Sequence, residues 1–322
     1  CTENGWVKGY KGINFKEITF FKGIPYASPP INEFRWKEPQ KVNNWNNILD
    51  CSNYGSQCPQ PIGNGAFTGG SSSDPTFDGE YLSSKGIVYV SINYRIGALG
   101  FMANKLLRED NPKNISGNYG LLDQIYALNW IKRNIEEFGG DSNKITIGGQ
   151  SAGAASVYLL SLSPLASNLF KGVISESGGV MYPRDPQSMY SWHYTVEEAE
   201  QKSEQFLSKK NINTKQITAK QLRQLPLNII IEQNMIINND NTRNTWYGNP
   251  VLFHPILDNY VITNTYEEIM EKGLQNKVNI LMGYTFDEYG ASPSPYVANN
   301  AIREITRISS NQWANLWLNI FQ

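Results

Sequence analysis

The stretch at 138–154, FGGDSNKITIGGQSAGA, constrains the chain more than any other. NKITIGG at 143–149 reads as a short strand, and AGAASVYLLSL from 152 reads as a helix. Between them Ser151 stands in a G-x-S-x-G pattern, flanked by Gly149, Ala152 and Gly153. A strand that turns into a helix over one residue needs small neighbours, and the strained turn lifts the serine hydroxyl out of the sheet. The first amides of the helix lack partners within it and favour negative charge, so the Ala152 N–H is a natural donor to an oxyanion. The pattern also occurs by chance, and a tight turn with an idle serine is the alternative.

The surrounding order supports the strand–turn–helix reading. Residues 5–25 read as short strands with turns, and a polar segment rich in Pro and Asn runs to about residue 66. GIVYVSINY at 86–94 has the composition of a buried strand. The spacing predicts a helix over 121–137, with Leu121, Ile125, Leu128 and Ile131 or Ile135 on one face. FGGD at 138–141 ends it, since glycine accepts the left-handed C-cap conformation. Further strands are expected at 171–178 and 277–288, and a polar surface helix at 194–209. Strand and helix alternating in this way predict an α/β fold, a mostly parallel, doubly wound sheet with helices on both faces. A glycine-rich loop before the serine is needed for a second oxyanion donor. GNGAF at 63–67, containing Gly65 and Ala66, is the candidate, and an ordinary flexible Gly/Ser loop is the equal alternative.

Composition narrows the function. The 322 residues suffice for one large domain, and 28 Lys+Arg against 29 Asp+Glu give a net charge of -1, which argues against a broad nucleic-acid face. No apolar run is long enough to cross a bilayer. The chain starts at Cys1 with no signal peptide, so its numbering is expected to begin inside a longer precursor. Cys1, Cys51 and Cys58 form an odd set, and Asn114 opens a glycan-acceptor triplet. No G-x-G-x-x-G follows a first strand, which sets a dinucleotide site aside.

These residues resemble the type B carboxylesterases, the cholinesterase-like branch of the α/β hydrolases. FKGIPYASPP at 21–30, DCSNYGSQCPQP at 50–61, SINYRIGALGF at 91–101, GNYGLLDQIYALNWIKRNI at 117–135, the elbow at 138–153, LFKGVISESG at 169–178 and MGYTFDEYG at 282–290 carry the likeness, in order. It implies one α/β-hydrolase domain over 1–322, the N-terminal part of a larger one, and no metal or organic cofactor. It implies Ser151 as nucleophile, Gly65, Ala66 and Ala152 as oxyanion donors, and Glu288 as the acid of a Ser-His-Glu triad, with Asp287 its neighbour and rival.

Four departures accompany the likeness. The implied histidine falls far beyond Glu288, whereas this sequence runs to Gln322. A strand expected before the oxyanion loop has no counterpart. Cys58 matches a family cysteine whose disulfide partner belongs to that same segment. Gln150 stands where the family usually has Glu, which weakens the case for a cationic substrate. Neither His193 nor His254 fits the base: His193 precedes the acid, and His254 takes a non-catalytic place before a turn. The expectation is a carboxylic ester hydrolase working through an acyl-enzyme on a small or lipid-like ester, in a secreted or lumenal setting. The alternative is a catalytically silent domain of the same fold that binds a protein partner as an adhesion or scaffold module.

Overall fold

The computed structural model describes residues 1–60, 65–178, 195–231 and 252–283. Almost all of these belong to one compact unit, Cys1–Met282. Seven strands are described, in three pieces. β1 (Val7–Lys8) pairs in parallel with β4 (Leu49–Asp50), and β2 (Tyr10–Lys11) pairs antiparallel with β3 (Thr19–Phe20). The third piece has the order β5 (Thr146–Gln150), β6 (Gly172–Glu176), β7 (Asn279–Gly283), with β5 and β6 parallel and Ile147 opposite Val173. Among the described residues nine α-helices accompany them: α1 (Glu80–Ser83), α2 (Gly97–Phe101), α3 (Lys105–Glu109), α4 (Tyr119–Asn134), α5 (Ala152–Leu162), α6 (Val196–Ser208), α7 (Ala219–Arg223), α8 (Leu227–Ile230) and α9 (Tyr266–Glu271).

The helix expected at 121–137 is α4 followed by a 3-10 turn at Ile135–Phe138. Leu121, Ile125, Leu128 and Ile135 are buried as their spacing requires. So are Leu122, Asp123, Gln124 and Trp130, because α4 is packed on several sides rather than along one stripe. Gly139 ends the run at φ 85°, the left-handed cap that glycine takes at little cost. The polar helix expected at 194–209 is α6, opened by a capping box in which Thr195 and Glu198 satisfy each other's backbone amides. Thr218 with Gln221 and Thr265 with Glu268 open α7 and α9 in the same way.

The main core gathers α2, α4 and α5 with β5 and β6, around Phe101, Tyr119, Leu121, Leu159 and Val173. Inside it Asp123 of α4 holds Arg95 by two bonds of 2.7 Å, from Nε and Nη2, and accepts the Arg95 backbone N–H at 3.0 Å. Both side chains are buried, and this bidentate pair fixes α4 against the segment that leads into α2. Arg108 of α3 makes a similar fork to Glu200 of α6, at 2.7 and 3.1 Å.

One expected strand does not form. Residues 86–94 enter no β-ladder among the described residues, and Ile87, Val88 and Val90 are exposed. Strand composition expresses itself only against a pairing neighbour, and no described strand lies alongside this one.

Candidate active site

Ser151 follows the last residue of β5 and precedes the first of α5. Its N–H donates to Glu176 O at 2.9 Å, extending the β5–β6 ladder by one step, and its C=O accepts from Ala155 N at 2.9 Å as the first bond of the helix. Strand and helix therefore meet at this single residue. Its backbone has φ 54° and ψ −118°, outside the regions that non-glycine residues ordinarily occupy. Such a conformation costs about 1–3 kcal/mol and persists only where the surroundings enforce it.

Close backbone packing enforces it here. A Cβ on Gly149 would overlap the carbonyl of Gly153 and come within 2.9 Å of Ala154 N. A Cβ on Gly178, just after β6, would overlap Ser151 O and come within 2.7 Å of Ala154 Cβ. Gly153 differs: a Cβ there meets nothing within 4 Å among the described residues. The smallness expected of Gly153 is thus not demanded by its own side-chain space. It serves as the surface that Gly149 approaches. Sequence reasoning read 171–178 only as a strand. Its end is part of the elbow, through Glu176 O and Gly178, a role that arises from β6 lying beside β5.

Ser151 is half-buried and Ala152 buried. Ala152 opens the 11-residue α5, so its N–H belongs to the first turn, where backbone donors lack intrahelical acceptors. The glycine-rich loop is built rather than slack over its described part. Gly65, Ala66 and Phe67 all have left-handed backbone, with φ 63°, 51° and 65°. The turn is closed by Thr68, whose N–H and hydroxyl both donate to Gly65 O at 2.9 Å. Phe67 is pinned from both ends: its C=O accepts from Gly97 N at 2.6 Å, and its ring packs edge-on to Phe101 at 5.2 Å. The Gln60 side chain joins the loop's two ends, accepting from Gly70 N at 2.6 Å and donating to Gly70 O at 3.1 Å. Phe67 and Ala152 belong to the same buried cluster, which puts the loop and the start of α5 on one core.

The remaining candidates divide. His254 is described and fully buried, its Nδ1 2.7 Å from Pro255 O. Burial pushes its pKa down to about 4, aided by the charge of Lys202 on α6, so the ring is neutral near pH 7. Its neighbour Phe253 packs edge-on against Phe206 of α6, which places this segment on α6. Glu288, Asp287 and His193 lie outside the described residues, as do 61–64 at the start of the glycine-rich loop. Cys1, Cys51 and Cys58 are free thiols among the described residues, and burial raises the Cys58 pKa to about 11.

A parallel β5–β6 pair, helices packed around it and a strained serine at the strand-to-helix junction define an α/β-hydrolase fold. The comparisons agree. The chain belongs to the carboxylesterase family, whose model matches residues 1–64 and 62–318, in two pieces that meet at 62–64. It is 29% identical to the fumonisin B1 esterase of Sphingopyxis macrogoltabida, over 89% of this chain and 55% of that protein. It is 31% identical to the para-nitrobenzyl esterase of Bacillus subtilis, over 86% of this chain and 61% of the relative. The crystal structure of the Geobacillus stearothermophilus carboxylesterase superposes with a TM-score of 0.73 at 29% identity, covering 89% of this chain and 61% of that one. The chain thus spans a little over half the length of these relatives. Both alignments are longer than the part of this chain that they cover. The first has 328 positions for 89% of 322 residues, or about 287, leaving about 41 opposite no residue of this chain. The second has 319 positions for about 277 residues, leaving about 42.

Proposed function

We propose that the protein is a carboxylic ester hydrolase with Ser151 as its nucleophile. The single observation that carries this reading is the Ser151 backbone at φ 54° and ψ −118°, held by contacts at Gly149 and Gly178. A protein that only binds partners gains nothing from that strain, whereas a nucleophile gains an exposed hydroxyl beside unpaired helix amides.

In this mechanism the Ser151 Oγ–carbonyl bond forms as a general base, the histidine that the family likeness implies, takes the hydroxyl proton. Glu288 orients and stabilises that imidazolium. The developing oxyanion is received by the Ala152 N–H and by Gly65 and Ala66 of the left-handed loop. The carbonyl–alkoxy bond breaks as the histidine returns its proton to the leaving alcohol. Water, deprotonated by the same base, then releases the acid and restores Ser151. The name of the Bacillus subtilis relative, a para-nitrobenzyl esterase, favours small aromatic esters as first substrates.

The test is hydrolysis of p-nitrophenyl acetate by the full-length protein, with Ser151→Ala and Glu288→Gln as variants. A burst of nitrophenolate followed by slower turnover is expected. Ser151→Ala should lower kcat/KM by roughly ten-thousand-fold or more, with Glu288→Gln less severe. Activity that survives Ser151→Ala would remove the serine from the chemistry.

A further inference from the structure

The sequence holds one N-x-S/T triplet, Asn114-Ile115-Ser116, and nothing in the chemistry of the elbow uses it. Its two ends have opposite surroundings. Asn114 closes a turn that starts at Asn111: its N–H donates to Asn111 O at 2.8 Å, and the Lys113 N–H donates to Asn111 Oδ1 at 2.8 Å. Pro112 takes the second position of that turn, which its fixed φ favours. Asn114 itself has φ 54°, a left-handed value that Asn accepts more readily than most residues. Its side chain is exposed. Oδ1 accepts from Arg108 Nη1 at 3.4 Å, and Nδ2 donates to no described residue. Ser116, two residues on, is wholly buried. Its hydroxyl accepts from the Asn104 N–H at 3.2 Å, at the N-cap of α3. The chain beyond it is clamped. A Cβ on Gly117 would come within 2.9 Å of Ile256 Cδ1, and the Asn118 side chain donates to Ile256 O at 2.8 Å and accepts from Ile256 N at 2.9 Å.

We propose that Asn114 is the acceptor of an N-linked oligosaccharide, transferred in a secretory lumen before residues 115–118 pack. The donor is a polyprenyl-diphosphate-linked oligosaccharide. The bond from the anomeric carbon to the diphosphate oxygen breaks, a bond from that carbon to Asn114 Nδ2 forms, and the amide proton is lost as the polyprenyl diphosphate leaves. The new bond uses Nδ2 and spares Oδ1, so the Arg108 contact and the turn are kept and the sugar extends into solvent. The order of events follows from the serine. The transferring enzyme reads the hydroxyl at the third position as well as the amide, and in the folded protein that hydroxyl is held against Asn104, out of reach. The clamp on Asn118 needs Ile256, 138 residues later in the chain. At ~5–20 residues synthesised per second, the triplet stays open for roughly 7–28 s before that clamp can form. This acceptor role is independent of whether Ser151 is catalytic.

The test directs the full-length protein into the secretory pathway of a eukaryotic cell by a cleavable signal. The secreted chain is treated with peptide N-glycosidase in heavy-oxygen water, and the peptide containing position 114 is read by tandem mass spectrometry. The expected result is a labelled aspartate at position 114, absent from Asn114→Gln. The order of events is tested on unglycosylated full-length protein made in bacteria, given purified oligosaccharyltransferase and a lipid-linked oligosaccharide. Enzyme present while the chain is diluted out of urea should glycosylate at least ten times more of it than enzyme added to the natively purified protein, whose fold is checked by circular dichroism. The proposal is overturned if Asn114 leaves the secretory pathway unmodified, or if the folded protein is glycosylated as readily as the unfolded chain.

Discussion

Replacing Gly149 by alanine puts a methyl group into the carbonyl of Gly153, because β5 and the first turn of α5 meet backbone to backbone there. Overpacking of this kind costs about 1–3 kcal/mol, so Gly149→Ala should lower the urea midpoint and distort the elbow. Gly153→Ala should be neutral to about 1 kcal/mol stabilising, since its Cβ meets open space and alanine favours helix. Equal losses from both substitutions would contradict the packing described for the elbow. The sequence shows two glycines around a serine and hides this asymmetry, which arises from the fold. His254 carries a second prediction at this scale. Its pKa is about 4 in the folded protein and 6.5 when unperturbed, so the unfolded chain binds the proton more readily between those values. Its contribution is fully present above about pH 6.5 and lost as pH falls to 4, on the order of 3 kcal/mol in all. The difference in unfolding free energy between wild type and His254→Asn should change by this amount across that window. Parallel curves would show that the ring is not buried uncharged.

Arg95 and Asp123 join α4 to the segment before α2, and the pair is buried on both sides. Removing one partner strands a charge, so Asp123→Asn should destabilise by about 3–5 kcal/mol in chemical denaturation. A loss under 1 kcal/mol would mean that water reaches the guanidinium. At α7 the capping box predicts a milder cost, about 1 kcal/mol for Thr218→Ala, read the same way. The elements readable from sequence were those whose signal is local. The apolar spacing of α4, the Gly139 cap, the polar periodicity of 194–209 and the strand–turn–helix around Ser151 each depend on neighbours within a few residues. The segment at 86–94 shows the opposite case. Its Ile, Val and Tyr content is that of a strand, but pairing needs an edge elsewhere in the chain, and the described structure gives it none. The part played by Glu176 and Gly178 in holding the serine was also hidden, because it comes from β6 lying beside β5.

Across the whole molecule, the described residues hold the elbow, the closed loop at 65–70 and a groove of about 1100 Å³, and the chain covers 55% and 61% of the lengths of two family relatives. The candidate site was legible in sequence as far as its backbone frame. Ser151 and Ala152 stand at the strand-to-helix turn, and Gly65 and Ala66 lie in an anchored left-handed turn on the same core. Glu288 lies outside the described residues, and its place in the triad is part of the proposal. No helix among the described residues is long and apolar enough to cross a membrane. The central claim is that Ser151 is an activated nucleophile. The most direct measurement treats the full-length protein with a fluorophosphonate probe and maps the adduct by tandem mass spectrometry of the peptide spanning 145–171. The account predicts one phosphonyl group per chain on Ser151, blocked by prior incubation with p-nitrophenyl acetate and absent from Ser151→Ala. No adduct on folded protein, or an adduct on a different residue, would contradict it.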